Sequence, residues 1–139
     1  MTRERSRRAS REQAVFILYQ HDLTGLPVEQ LEENARRGGD PPLDGFGSSL
    51  VSGVLVEAAS LDEAITGAAE GWTADRLAPL ERNILRVAVH ELRSRGDIPP
   101  AVSINEAVDL AKRYCQAEAP GLVNGILGRI AAEAGNRSA

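Results

Sequence analysis

The stretch that most limits what this chain can become is residues 98–130, IPPAVSINEAVDLAKRYCQAEAPGLVNGILGRI. Behind a Pro-Pro elbow, Ile104, Ala107, Val108, Ala111, Tyr114 and Cys115 recur at helical spacing, with Asn105, Asp109, Lys112 and Arg113 on the other side. Ser103, with Glu106 three residues on, has the pattern of a capping box opening that helix. A second helix starts near Pro120 and lays Leu122, Val123, Ile126, Leu127 and Ile130 on one stripe. Asn124-Gly125 is a hairpin signal in isolation, but its apolar neighbours keep helical period, so the helix prevails. Gly121, Gly125 and Gly128 fall together opposite the stripe. They mark either a bare backbone strip that another molecule approaches or an unoptimised surface.

Further upstream the same period recurs. Ser10 and Gln13 suggest a capped helix to about Thr24, whose apolar residues spread nearly all round the wheel. Such a helix is central in its fold or covered by a partner. A short helix follows from Pro27 to about Ala35, and Gly38-Gly39-Asp40-Pro41-Pro42 is a loop. Phe46, Leu50, Val54, Ala58 and Leu61 indicate a third helix, and Ser60 with Glu63 the cap of a fourth, closed by Gly71. Pro79 opens another helix to about Arg93, with Leu80, Ile84, Leu85, Val87, Ala88 and Leu92 inward. Arg82, Arg86 and Arg93 fall opposite, with His90 beside them. Glu81 and Glu91 lie within the apolar arc; a buried carboxylate needs a partner. For Glu91 an internal pair is expected, while Glu81 is either paired inside or presented outward. No segment alternates at period two. The expected fold is all-α, about seven helices in two packed halves sharing one compact domain, residues 10–70 and 71–134, behind a basic arm, 1–9.

Charge is unevenly placed. Residues 1–12 hold five arginines against two glutamates, a balance of +3, so with a net charge of −4 the remainder carries −7. A basic arm on an acidic body points to an interaction tail, often for nucleic acid, or to a solvated terminus.

Catalytic and metal-binding patterns are missing. His90-Glu91 begins a zinc-protease motif, but position 94 is Ser. The only other histidine is His21, and the single cysteine, Cys115, sits on an apolar face as a small hydrophobe. Neither a phosphate loop nor a nucleophile elbow occurs. The expectation is a non-enzyme without metal or cofactor. With no signal-peptide pattern and no membrane-length apolar run, a cytoplasmic protein is expected.

Two blocks carry a resemblance. RRASREQAVFILYQHDLTG, from Arg7 to Gly25, and the segment from Gly71 to about Ala131, with DRLAPLERNILRVAVHEL, SINEAVDLAKRY and LVNGIL, resemble the bacterial transcription antitermination factor NusB family in order and spacing. The resemblance implies an all-helical RNA-binding protein that engages boxA-type single-stranded nascent RNA together with NusE, a ribosomal small-subunit protein, within the RNA polymerase antitermination complex. It implies RNA contacts at Arg5, Arg7, Arg8 and Arg11 of the arginine-rich opening, and at Glu118 and Leu122 by the last helix. Tyr19 and Glu81 match positions at or near the NusE-binding surface. The chain departs from the family where Leu122 replaces an aromatic before Val-Asn-Gly, Ala119-Pro120 replaces a polar pair, and Ala101 replaces a common basic residue. A homodimer of the free chain stays open. Two alternatives are a helical adaptor that binds only proteins and a stand-alone NusB-like domain of the ribosomal RNA methyltransferase type. The latter is disfavoured because no residues remain for a cofactor-binding domain.

Overall fold

A computed structural model describes the backbone of residues 3–138 and the side chains of residues 7–135. Its elements are α1 (Arg3–Thr24), α2 (Val28–Arg37), α3 (Gly45–Ala68), a 3-10 turn (Ala74–Arg76), α4 (Pro79–Ser94), α5 (Pro100–Tyr114) and α6 (Ala119–Ser138). The described residues form no strand.

The helix count differs from expectation at α3. Ser60 opens no new helix; α3 runs through it because Val54, Leu61, Ile65 and Ala68 continue one buried stripe, with no proline to break it. The Ser60 hydroxyl instead accepts a bond from Arg93 Nη1 at 2.9 Å. Two other capping assignments also fail. Helix α1 already begins at Arg3, so residues 3–9 of the arm are helical backbone rather than a separate tail, and Ser10 lies inside that helix. Ser10 Oγ donates to Asp44 Oδ2 at 2.7 Å, while Asp44 Oδ1 accepts from the Gly47 N–H at 2.8 Å as the N-cap of α3. Helix α5 begins at Pro100, a position where proline costs no hydrogen bond, so Ser103 falls within the first turns. Its hydroxyl donates to Glu91 Oε1 at 3.0 Å.

One hydrophobic core takes residues from all six helices, among them Leu18, Leu31, Leu50, Leu61, Leu85, Leu110 and Leu127. Helix α4 is central, packing on α1, α3, α5 and α6. That position explains why its polar side is not a solvent face. Arg82 and Arg86 are largely buried: Arg82 Nε donates to Asp22 Oδ2 at 2.9 Å, and Arg86 makes two 2.7 Å bonds to Asp62. His90 is buried against α3, with Nδ1 2.6 Å from Glu57 Oε2. Its ring lies so close to Gly53 that an added Cβ would meet Cε1 at 2.2 Å. No described helix is long and apolar enough to cross a membrane.

Candidate nucleic-acid and partner interface

Three arginines of α1 leave the helix in different directions, and burial divides them. Arg11 is only 5% exposed. Its Nε donates to Glu91 Oε2 at 2.6 Å and its Nη2 to Oε1 at 2.9 Å, a two-point guanidinium–carboxylate bond. With the Ser103 hydroxyl on the same carboxylate, Glu91 is internally paired as its place in the apolar arc requires. Arg11 therefore serves the junction of α1, α4 and α5 and is not displayed with the exposed arginines.

Arg8 and Arg7 reach solvent. Arg8 is exposed and bridges to α5, with Nη2 2.5 Å from Asp109 Oδ2 and Nε 3.2 Å from Glu106 Oε2. Partial burial pushes the Asp109 carboxyl up, but the Arg8 hydrogen bond and the charges of Arg8 and Arg113 outweigh it and hold it below the usual carboxylate range. Arg7 turns the other way. Its guanidinium carbon lies 4.8 Å above the Phe46 ring, and Nη2 is 3.2 Å from Asp97 Oδ2. The Arg5 side chain lies outside the described residues.

A second group forms where the 3-10 turn and the start of α4 meet the α5–α6 connection and α6. Glu81, Glu118 and Leu122 line one cleft of about 200 Å³ with Trp72, Arg76 and Gln116. Trp72 is half-exposed and Leu122 half-buried. Burial, and then the charge of Glu118, raise the Glu81 carboxyl above the ordinary glutamate range. The Cys115 thiol is raised in turn by burial and by Glu81. The neighbouring Tyr114 packs edge-on against Phe16 at 5.0 Å, and Phe16 packs edge-on against Tyr19 at 6.3 Å. Tyr19 is thus joined through Phe16 to Tyr114, the last residue of α5. The structure unites Glu81 with Glu118 and Leu122, which the sequence could only treat as separate positions.

Nothing in the sequence marks Trp72 or Phe46 as a binding residue. Trp72 is a lone tryptophan in a loop carrying no periodic signal, and Phe46 reads as one more apolar residue of α3. Only the fold sets Phe46 beneath Arg7. Among the described residues, no group of three or more His, Cys, Asp or Glu is placed to hold a metal ion.

Comparison with known proteins agrees with this architecture. The chain is 44% identical over 124 residues to the transcription antitermination protein NusB of Rubrobacter xylanophilus, covering 88% of this chain and 87% of that one. It superposes on T. maritima NusB with a TM-score of 0.81 at 36% identity, covering 91% of both chains. It also superposes, at a TM-score of 0.77 and 29% identity, on a structure of the antitermination factors NusB and NusE in complex with dsRNA, covering 96% of this chain and 99% of that one. The sequence profile of the NusB family matches residues 8–132. With that match spanning nearly the whole fold, the chain belongs to the NusB family.

Proposed function

We propose that this protein binds boxA-type RNA together with NusE in the antitermination complex of RNA polymerase, acting in the cytoplasm by binding rather than catalysis. The observation that carries the RNA part is the pair Arg7 and Arg8, reaching solvent from one end of α1 on a body that is otherwise acidic. Each is held by carboxylates that solvent reaches, an arrangement worth little in water. A strand carrying several phosphates gains by releasing counterions as it takes over those guanidiniums. The related structure of NusB and NusE with dsRNA supports NusE and, in general, RNA as partners of this chain.

The acidic cleft is the candidate NusE surface. Burial and the charge of Glu118 raise the cost of ionising Glu81, and a basic side chain entering beside it relieves that cost. Trp72 and Leu122 supply apolar surface beside the charges. Two carboxylates repel phosphate, so Glu118 and Leu122 fit a protein contact at least as well as an RNA contact. A protein-only adaptor is the second reading, favoured by the carboxylates already paired with Arg7 and Arg8.

A titration of boxA-like single-stranded RNA, with and without NusE, tests the proposal, alongside a duplex of the same sequence. Tight, salt-sensitive binding of the single strand that NusE strengthens is expected. Absence of RNA binding in both arms, with NusE still bound, would establish the adaptor instead. Repeating the titration at several protein concentrations reads out any homodimer.

A further inference from the structure

The Phe46 ring is surrounded by three guanidinium groups from distant parts of the chain. Their central carbons lie 4.8 Å (Arg7), 5.4 Å (Arg11) and 5.1 Å (Arg95) from its centroid. Arg11 is committed to Glu91. The other two converge on one exposed carboxylate: Arg95 Nε and Nη2 lie 3.0 Å from the two oxygens of Asp97, and Arg7 Nη2 lies 3.2 Å from Asp97 Oδ2. Arg95 ends α4 and also reaches Ser49 Oγ on α3 at 3.3 Å.

We infer that Arg7 and Arg95, set side by side on Phe46, form a phosphate seat that carries bound RNA from the start of α1 onto the α4–α5 turn, with Asp97 occupying the seat in the free protein. The inference rests on the RNA-binding reading above and adds a residue to it. Two forked donors already directed at one anion match the geometry of a phosphate. Their contacts with the aromatic face hold both side chains in place, so less motion is lost when an anion arrives. Asp97 lies only two residues from Arg95 and is half-exposed. Such a pair is weak and gives way to an anion that brings further contacts. Phosphate contacts of this kind position a nucleic acid without reading its sequence. Arg8 is the next residue of α1 but turns toward α5, so a strand crossing the start of α1 can meet Arg8 and the seat in succession. A basic protein partner, by contrast, is repelled by two arginines.

The test is fluorescence anisotropy of boxA-like single-stranded RNA with the full chain and NusE, across a salt series. Arg95→Ala is expected to weaken binding several-fold and to flatten the log–log salt dependence by about 0.7, the value of one lost single-strand phosphate contact. Arg95→Lys, which keeps the charge and loses the fork, is expected to retain the slope while weakening binding. Asp97→Asn is expected to tighten binding. If Arg8→Ala flattens the slope while the Arg95 and Asp97 variants, folded by circular dichroism, match the unmodified chain, the seat is wrong and the RNA reading stands. If Arg95→Ala impairs NusE binding and leaves RNA affinity unchanged, the site belongs to the protein partner and the inference fails. If the unmodified chain binds no RNA, both fall together.

Discussion

Arg11 and Glu91, eighty residues apart, face each other in the interior with guanidinium and carboxylate joined at 2.6 and 2.9 Å. Arg8, one helical turn earlier on α1, is exposed and meets its carboxylates at the surface. Two arginines of one motif therefore do different work. Arg11→Ala leaves a buried carboxylate without its cation and is expected to cost about 3–5 kcal/mol. Arg8→Ala is expected to leave the melting curve nearly unchanged while flattening the salt dependence of RNA binding by about 0.7. Denaturant melts and RNA titrations of the two single variants separate these roles. Equal stability of the two would refute the division.

The Arg8–Asp109 pair competes with RNA for the guanidinium. Asp109 is held below the usual carboxylate range in the folded chain, so the pair's contribution is complete above the unfolded aspartate value. It is lost only as pH falls through the lower folded value. At neutral pH the pair is closed, and Asp109→Asn opens it. RNA affinity should rise by no more than the worth of an exposed pair, about 0.2–1 kcal/mol. A weaker complex in this variant would mean that Asp109 orients Arg8 for RNA.

Glu81 titrates in the opposite sense. Its folded value is raised by burial and by Glu118, so the folded chain bears no cost while the carboxyl is protonated in acid. The cost appears as pH rises through the raised value. A basic NusE side chain beside Glu81 lowers that value again. NusE binding should therefore strengthen with rising pH just above the ordinary glutamate range, with release of a proton. Calorimetry in buffers of different ionisation enthalpy measures this, and Glu81→Gln should abolish it. A pH-independent complex in the unmodified chain would remove Glu81 from the contact.

Leu122 is half-buried, packed against the edge of the core and lining an open cleft beside Trp72. Leu122→Phe can turn its ring into that space, and a destabilisation below about 1 kcal/mol is expected, less than the overpacking cost in a filled interior. If RNA reaches this point, the ring gains a base-stacking contact of roughly 1–3 kcal/mol. A change confined to NusE affinity would assign the cleft to protein alone.

Gly53 is required by its neighbour. A Cβ there would sit 2.2 Å from His90 Cε1, and the ring is held by the 2.6 Å contact with Glu57. Gly53→Ala is expected to cost about 1–3 kcal/mol by overpacking α3 against α4. Adding His90→Ala should recover part of the loss in a double-mutant cycle. Additive losses would show that the two positions do not clash.

The sequence by itself determined the all-helical fold, because apolar spacing is a local property that survives without knowledge of neighbours. The stripes of α4 and α6, the proline start of α4, and the helical reading of Asn124-Gly125 were all legible this way. Glu91 was legible too: a carboxylate inside an apolar arc demands an internal partner, though nothing local named Arg11. What only the tertiary structure decided is where polar groups find partners. Ser10, Ser60 and Ser103 each carry a plausible capping pattern, yet each hydroxyl bonds to a side chain on or capping another helix, since the helices start or continue elsewhere. Arg7, Arg8 and Arg11 look alike in a basic run, and their separation into two cations that reach solvent and one buried ion pair follows from which helix each direction of α1 meets. The meeting of Arg7 with Arg95 on Phe46, and of Glu81 with Glu118 and Leu122, joins residues far apart in the chain. Hydrogen bonds and ion pairs are satisfied by whichever group packing brings within about 3 Å, and that is a property of the fold rather than of any window of sequence.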